Sequence, residues 1–223
     1  MMKEKVLAVI DPYIISPSLK SYNRIKDLSP YKCRYYQPST LGFERLIHDE
    51  NMAYVILGSA SHIYQKLPWQ QTLSDFILEK LKAGYPTLGI CFGHQLVCSA
   101  FGAQLEYVDA KKSKLTGTRI ISVEKPFFNF NTTDQLELAI SHQQVVKSLP
   151  LELESLASAV NGELLNEIVR HKKYLFLGTQ AHIESHPNGL TTESESTKLN
   201  FSKHQKASED GGKIIKGFFQ YYF

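Results

Sequence analysis

The residue with the clearest chemical use lies in Leu88-Gly89-Ile90-Cys91-Phe92-Gly93-His94-Gln95. An apolar run, Pro86 to Ile90, ends on a cysteine, and a helical pattern, Phe92 to Phe101, starts on the next residue. This juxtaposition predicts a sharp strand-to-helix elbow that holds a thiol over the carboxyl end of a sheet, where open α/β folds place their sites. The helix N-terminus would set unpaired N–H groups and partial positive charge beside the sulfur, which favours thiolate. The N–H of Phe92 would face an oxyanion formed when that sulfur attacks a carbonyl. Gly89 and Gly93 allow the close backbone approach such a turn needs.

A cysteine nucleophile needs a base, and the chain has eight histidines. His94 sits three residues along the departing helix and is expected to point away from the thiol. His48, His171 and His204 have polar neighbours and read as surface residues. His182 follows the strand-like run Tyr174 to Gln180, and Glu184 comes two residues later, on the same side if the chain stays extended. A carboxylate there would orient the imidazole and stabilise its protonated form. H-x-E alone arises often by chance; roughly ninety residues after a cysteine elbow it completes a nucleophile, base and carboxylate set. The bland alternative for Cys91 is a buried, inert thiol. Cys98, inside the same helix, reads as a small core residue, and Cys33, between Lys32 and Arg34, has no base.

The elements that must position this set alternate β and α through the first half, the pattern of βαβ units. Strands are predicted at Val6 to Asp11, Tyr31 to Tyr36, Ala53 to Leu57 and Pro86 to Ile90, with a helix over Thr40 to Asp49. Another helix starts near Pro68, ends before Gly84 and has Trp69, Leu73, Phe76, Ile77 and Leu81 at helical spacing. After Gln104 come shorter strand candidates that read as a largely antiparallel extension: Arg119 to Val123, Leu136 to Ser141, Glu152 to Ala159, Glu167 to Arg170 and Leu175 to Gln180. The expected fold is an open, mixed, mostly parallel α/β sheet with helices on both faces and an antiparallel extension. Residues 191–213 are polar, include a Gly-Gly pair and lack periodicity, so they are expected to form a mobile loop. The apolar tail from Ile214 to Phe223 is expected to pack back onto the body.

With 223 residues, 43% hydrophobic, the chain fits one domain spanning residues 1–223. A formal charge of +3, spread without a basic run, argues against nucleic acid as a partner. The apolar runs are much shorter than the ~20 residues of a membrane helix. The start shows no secretory pattern, so a cytoplasmic, membrane-free protein with reduced thiols is expected.

The motifs together resemble the class I glutamine amidotransferases, particularly stand-alone members similar to the glutaminase domain of GMP synthase. Gly89-Ile90-Cys91-Phe92-Gly93-His94-Gln95 matches the family's G-x-C-x-G-x-Q. Gly178-Thr179-Gln180-Ala181-His182-Ile183-Glu184 matches G-x-Q-x-H-P-E, with Ile183 in place of the proline. Val55-Ile56-Leu57-Gly58-Ser59 followed by Pro68-Trp69 looks like the glycine loop and its helix, although Gly-Ser-Ala stands where many members carry Gly-Gly-Pro. Ser141-His142-Gln143-Gln144-Val145 resembles S-H-x-x-V.

The resemblance implies Cys91 as nucleophile, His182 as general base and then acid, and Glu184 as orienting carboxylate. It implies an oxyanion hole made by the N–H of Phe92 with that of Gly58 or Ser59, and substrate contacts from Gln95, Ser141 and His142. The implied reaction is hydrolysis of the glutamine side-chain amide through a thioester, with no metal or organic cofactor, the ammonia going to a separate synthase subunit. Other readings are a stand-alone hydrolase of a γ-glutamyl compound, a non-catalytic regulatory module, and a thiol redox sensor, which would not need His182 and Glu184.

Overall fold

The computed structural model describes residues 5–160, 165–187 and 198–223. The elements in chain order are β1 (Val6–Ile10), α1 (Leu19–Leu28), β2 (Lys32–Tyr36), α2 (Pro38–Leu41), α3 (Glu44–His48), β3 (Ala53–Ile56), α4 (Pro68–Lys82), β4 (Thr87–Ile90) and α5 (Phe92–Ala100). Then follow β5 (Gln104–Tyr107), β6 (Leu115–Val123), β7 (Gln135–His142), β8 (Gln144–Ser148), β9 (Leu153–Ala159), β10 (Ile168–His171), β11 (Phe176–Thr179) and α6 (Lys198–Tyr222).

Nine of these strands form one sheet in the order β2-β1-β3-β4-β11-β10-β9-β6-β7. The first five run parallel. β10, β9, β6 and β7 extend the sheet with antiparallel pairings, and β5 with β8 makes a separate antiparallel ribbon. Of the parallel strands, β1, β3, β4 and β11 are buried on both faces because helices cover both, while the edge strand β2 is largely exposed or half-buried. In β1, Leu7 and Val9 enter the core that includes Ile25 of α1 and Ile214, Ile215 and Phe218 of α6. Ala8 and Ile10 enter the core that includes Leu73, Ile77, Leu96 and Val97 of α4 and α5. The period of two along a strand makes that division.

The α/β sandwich and most of its strands agree with the sequence reading; five features do not. β11, read as part of the antiparallel extension, lies parallel beside β4 in the middle of the sheet. The helix expected over Thr40 to Asp49 is split into α2 and α3 by Gly42 at φ +79°. Neither α1 nor the β5/β8 ribbon stood out in the sequence. His171 is buried, its ring between Phe101 and Tyr174 with centroids 4.5 Å away on each side. Residues 198–213, expected within a mobile loop, begin α6; residues 191–197 lie outside the described residues.

The Gly211-Gly212 pair, which read as a loop signal, sits inside α6 for a packing reason. A Cβ on Gly211 would lie 2.3 Å from the Ile183 carbonyl oxygen, so only glycine lets α6 press on the backbone between His182 and Glu184. A Cβ on Gly212 would meet nothing nearer than the flexible Arg24 guanidinium at 3.3 Å. Glycine to alanine inside a helix ordinarily adds up to ~1 kcal/mol of stability. Gly211→Ala is therefore expected to lose about 1–3 kcal/mol through backbone displacement, while Gly212→Ala is neutral or stabilising. Urea unfolding of the two variants checks this, and equal effects would contradict the packing argument.

Candidate active site

The carboxyl ends of the adjacent strands β3, β4 and β11 deliver Gly58, Cys91 and the segment 180–184 to one point. Cys91 caps α5 with φ +49° and ψ −100°, a conformation rare for a side-chain-bearing residue. Strain of this kind persists only where the surroundings hold it. Here the Cys91 N–H donates to the Thr179 carbonyl at 2.8 Å, and its own carbonyl accepts from Gln95 N at 3.0 Å. Gly93 packs so closely under the elbow that a Cβ there would lie 2.4 Å from the Ile56 carbonyl oxygen.

His182 is fixed from both sides. Its N–H donates to the Ala139 carbonyl of β7 at 2.8 Å, and its Nδ1 lies 2.9 Å from Glu184 Oε1. A carboxylate only accepts, so Nδ1 carries the proton of that bond and Nε2 is left for the sulfur. Burial opposes a charged imidazole, but Glu184 and the hydrogen-bonded Cys91 outweigh it and raise the His182 pKa well above the ordinary histidine value. The Glu184 side chain is 1% exposed; its Oε1 also accepts from Ser21 Oγ at 3.4 Å.

Gly58 closes the site from the β3 side. A Cβ there would stand 2.7 Å from His182 Cε1 and 3.6 Å from the Cys91 Cβ. Gly58→Ala should therefore push the imidazole off the sulfur and lower kcat about 10²-fold, the usual cost of a misplacement near 1 Å, with little change in melting temperature. A variant of normal rate would show that the ring has room to move.

The backbone N–H groups of Gly58 and Ser59 meet no acceptor among the described residues, and that of Phe92 opens α5 without an intrahelical partner. The Ser59 hydroxyl is occupied, donating to the Pro12 carbonyl at 2.6 Å. That bond ties the glycine loop to the loop after β1; residues 16–21, the end of that loop and the first turn of α1, form the outer wall of a cleft of about 580 Å³. Buried Asp11 secures the same loop by accepting from Ser18 N at 2.6 Å and from the Tyr35 hydroxyl. Gly58, Ser59, Ser141, His182 and Glu184 line the cleft, as do Lys20 and Lys114.

Two of the residues that the resemblance singled out lie behind the cleft. Gln95 is buried, its Nε2 bonded to Gln144 O at 2.8 Å and Gln180 Oε1 at 3.1 Å. His142 is buried too, its Nδ1 3.2 Å from Gln144 O. His94 points away from Cys91, with Nδ1 3.6 Å from Cys98 Sγ. Three participants in this region were given no role by the sequence reading: Ser21 and Lys20, both in the first turn of α1, and Gln180, although Gln180 lay inside the quoted motif. No group of three His, Cys, Asp or Glu that could hold a metal occurs among the described residues. None of the described helices is long and apolar enough to cross a membrane.

Burial, then the charge of its neighbour His142, pushes His94 down to about 3. Burial, Arg119 and His182 do the same to His142, also to about 3. Both are neutral in the fold, whereas in the unfolded chain they titrate near ~6.5. Between these values the unfolded state binds more protons, so stability is full above pH ~6.5 and falls as pH drops toward 3. A urea midpoint that declines across this window is the expected result, and a flat one contradicts it.

The family Glutamine amidotransferase class-I matches residues 44–199, a span that contains the elbow, the glycine loop and the His182–Glu184 segment. Among relatives, one subunit of the glutamine-hydrolysing GMP synthase of Methanobrevibacter smithii is 31% identical over 157 residues, 69% of this chain and 76% of that protein. Among solved structures, a glutamine amidotransferase from Thermotoga maritima superposes with TM-score 0.74 at 19% identity, covering 97% of both chains. One from Methylobacillus flagellatus gives 0.75 at 15%, covering 98% of this chain and 95% of that one. These two bear on the fold, which they share across almost the whole chain. With most of the sequence matched and the motif-bearing strand ends adjacent in the sheet, the chain belongs to the class I glutamine amidotransferase family.

Proposed function

We propose that the protein hydrolyses the side-chain amide of glutamine, with Cys91 as nucleophile, His182 as proton carrier and Glu184 as its orienting carboxylate. The observation that carries this reading is the 2.9 Å bond from His182 to Glu184 with the strained Cys91 on the other side of the ring. The Cys91 thiolate bonds to the amide carbon, and the carbonyl electron pair moves onto oxygen. That oxyanion accepts from the free N–H of Phe92 and from Gly58 or Ser59, each such donor contributing about 10²–10³ in rate. His182 gives its proton to the amide nitrogen as the C–N bond breaks and ammonia leaves. A water then loses a proton to His182 and attacks the thioester. The C–S bond breaks, sulfur recovers its charge or the proton, and glutamate departs. The backbone at Ser141 and His142 holds the amino-acid end of the substrate.

Ammonia would pass to a separate synthase protein, and the relative named as one subunit of a GMP synthase supports that role. A second reading has one feature in its favour. Lys20 and Lys114 stand at the cleft with no acidic partner among the described residues, which suits a γ-glutamyl compound bearing an anionic group. The test is mass spectrometry of the purified chain with glutamine and with a set of γ-glutamyl amines, with and without a candidate synthase and with Cys91→Ala as control. Glutamate formed from glutamine supports the first reading, and cleavage confined to γ-glutamyl amines supports the second. No turnover of any of them under either condition refutes both.

A further inference from the structure

Gln180 has no part in the steps above, yet its amide is aimed at the nucleophile. The side chain is buried at the end of β11, and its Nε2 lies 3.7 Å from the Cys91 sulfur, within range of an N–H to sulfur bond. The orientation of this amide follows from its neighbours. The Gln144 carbonyl only accepts, so the Gln95 nitrogen must face it, at 2.8 Å. The second hydrogen of that nitrogen then needs an acceptor, which Gln180 Oε1 supplies at 3.1 Å. With its oxygen taken, Gln180 can present only its NH₂ group to the sulfur. Flipped, it would set oxygen lone pairs against a thiolate and leave two buried N–H groups face to face.

We propose that Gln180 is a positioning residue for the nucleophile: its amide N–H holds the Cys91 sulfur and stabilises the negative charge there, and Gln95 fixes the direction in which that N–H points. This rests on Cys91 being the reactive thiol. The bond is strongest when sulfur is charged, as thiolate before attack and as leaving group when the thioester breaks, and weaker in the neutral thioester. In a site shielded from water, such a bond to a charged atom carries more weight than at the surface. His182 and Gln180 together give the sulfur two donors from two directions, which restrains its rotation about the Cα–Cβ bond.

The test compares Gln180→Met, which keeps the shape and loses the donor, with Gln180→Glu, which can still accept from Gln95 but faces sulfur with a carboxylate. The readout is the rate of Cys91 alkylation by iodoacetamide at pH 7, alongside kcat and KM for glutamine and the melting temperature. Gln180→Met should slow alkylation about tenfold, the scale of one hydrogen bond to a charged group, and Gln180→Glu should slow it further. The Gln180→Glu rate should rise toward that of Gln180→Met as pH is lowered, because protonation removes the carboxylate charge that repels the sulfur; a merely structural defect has no such profile. Loss should fall on kcat more than on KM. Gln95→Met should have a smaller effect, and adding it to Gln180→Met should slow alkylation no further. Unchanged alkylation in a folded Gln180→Met variant overturns the proposal, and additive losses overturn the part assigned to Gln95. The alkylation readout needs no glutamine turnover, so a wild-type protein whose Cys91 alkylates but hydrolyses nothing would refute the proposed function and leave the Gln180 test intact.

Discussion

Replacing Cys91 with alanine should lower the turnover of glutamine by at least about 10⁴-fold, because no other described thiol can take its place. Loss of the nucleophile from a residue set that acts as a unit removes nearly everything the set contributes. Cys98 is fully buried, and burial pushes its thiol far above the ordinary cysteine value, so it stays protonated. Cys33 is raised by burial too, which outweighs the Ser29 hydroxyl and Lys26 acting the other way. The fold should survive, since the backbone bonds of Cys91 to Thr179 and Gln95 do not involve its sulfur. Glutamate release measured beside a melting curve decides the matter. A folded Cys91→Ala variant with more than about a hundredth of the wild-type rate would remove Cys91 from the mechanism.

Glu184→Gln should lower kcat by about 10²–10⁴-fold without disturbing the fold, the range in which removing the charge of an orienting carboxylate falls. The amide can still accept from His182 Nδ1, so geometry is retained and charge is lost. The sign of the pH effect follows from the balance at His182, where burial lowers the pKa and the charges of Glu184 and Cys91 raise it above the usual value. Without the carboxylate charge the imidazolium gives up its proton at a lower pH. The alkaline limb of the kcat profile, which marks loss of the proton donated to ammonia, should move toward lower pH. Stability is linked in the same direction. A histidine raised in the fold contributes stability that is fully present below pH ~6.5 and is lost as pH rises through its folded value. In Glu184→Gln that contribution shrinks, so the variant should lose most stability at acid-to-neutral pH and converge on the wild type when alkaline. An unshifted alkaline limb would mean that Glu184 does not face the reacting imidazole.

Ile183, where the related motif has proline, shows how far sequence and structure overlap. A proline would restrict φ between base and carboxylate; here restraint has another source. Ile183 is fully buried, the backbone of α6 presses on its carbonyl at Gly211, and its own N–H reaches Ala181 O at 3.2 Å. The contact comes from a helix that the sequence pattern hid. The buried face of α6 includes Ala207, Ser208, Asp210 and Gly211, small or polar residues that carry little hydrophobic signal. Asp210 is buried because Lys206, Lys213 and the Glu137 N–H surround its carboxylate. Hydrophobic periodicity detects helices that bury large apolar side chains; α6 does so only from Ile214 onward, and ahead of it packs its backbone close, with glycines that read as loop residues.

The elbow was legible because its signal is local: an apolar strand, a cysteine and a helix start follow one another without a gap, and each has its own residue preferences. His182 and Glu184 were legible as a pair because two residues along an extended chain share a face. Sequence alone thus determined the parallel strands of the first half, the identity of the reactive thiol as an expectation and the residues competent to serve it; it did not show that β11 joins those strands in parallel. Tertiary structure decided the rest. It placed β3, β4 and β11 side by side, so that Gly58, Cys91 and His182 meet although ninety residues separate the last two. It turned Gln95 and His142 into the wall behind the cleft and aimed Gln180 at the sulfur. The physical reason is range: strand, turn and helix preferences act over a few residues, whereas the direction of a buried amide depends on which donors and acceptors the whole chain leaves beside it.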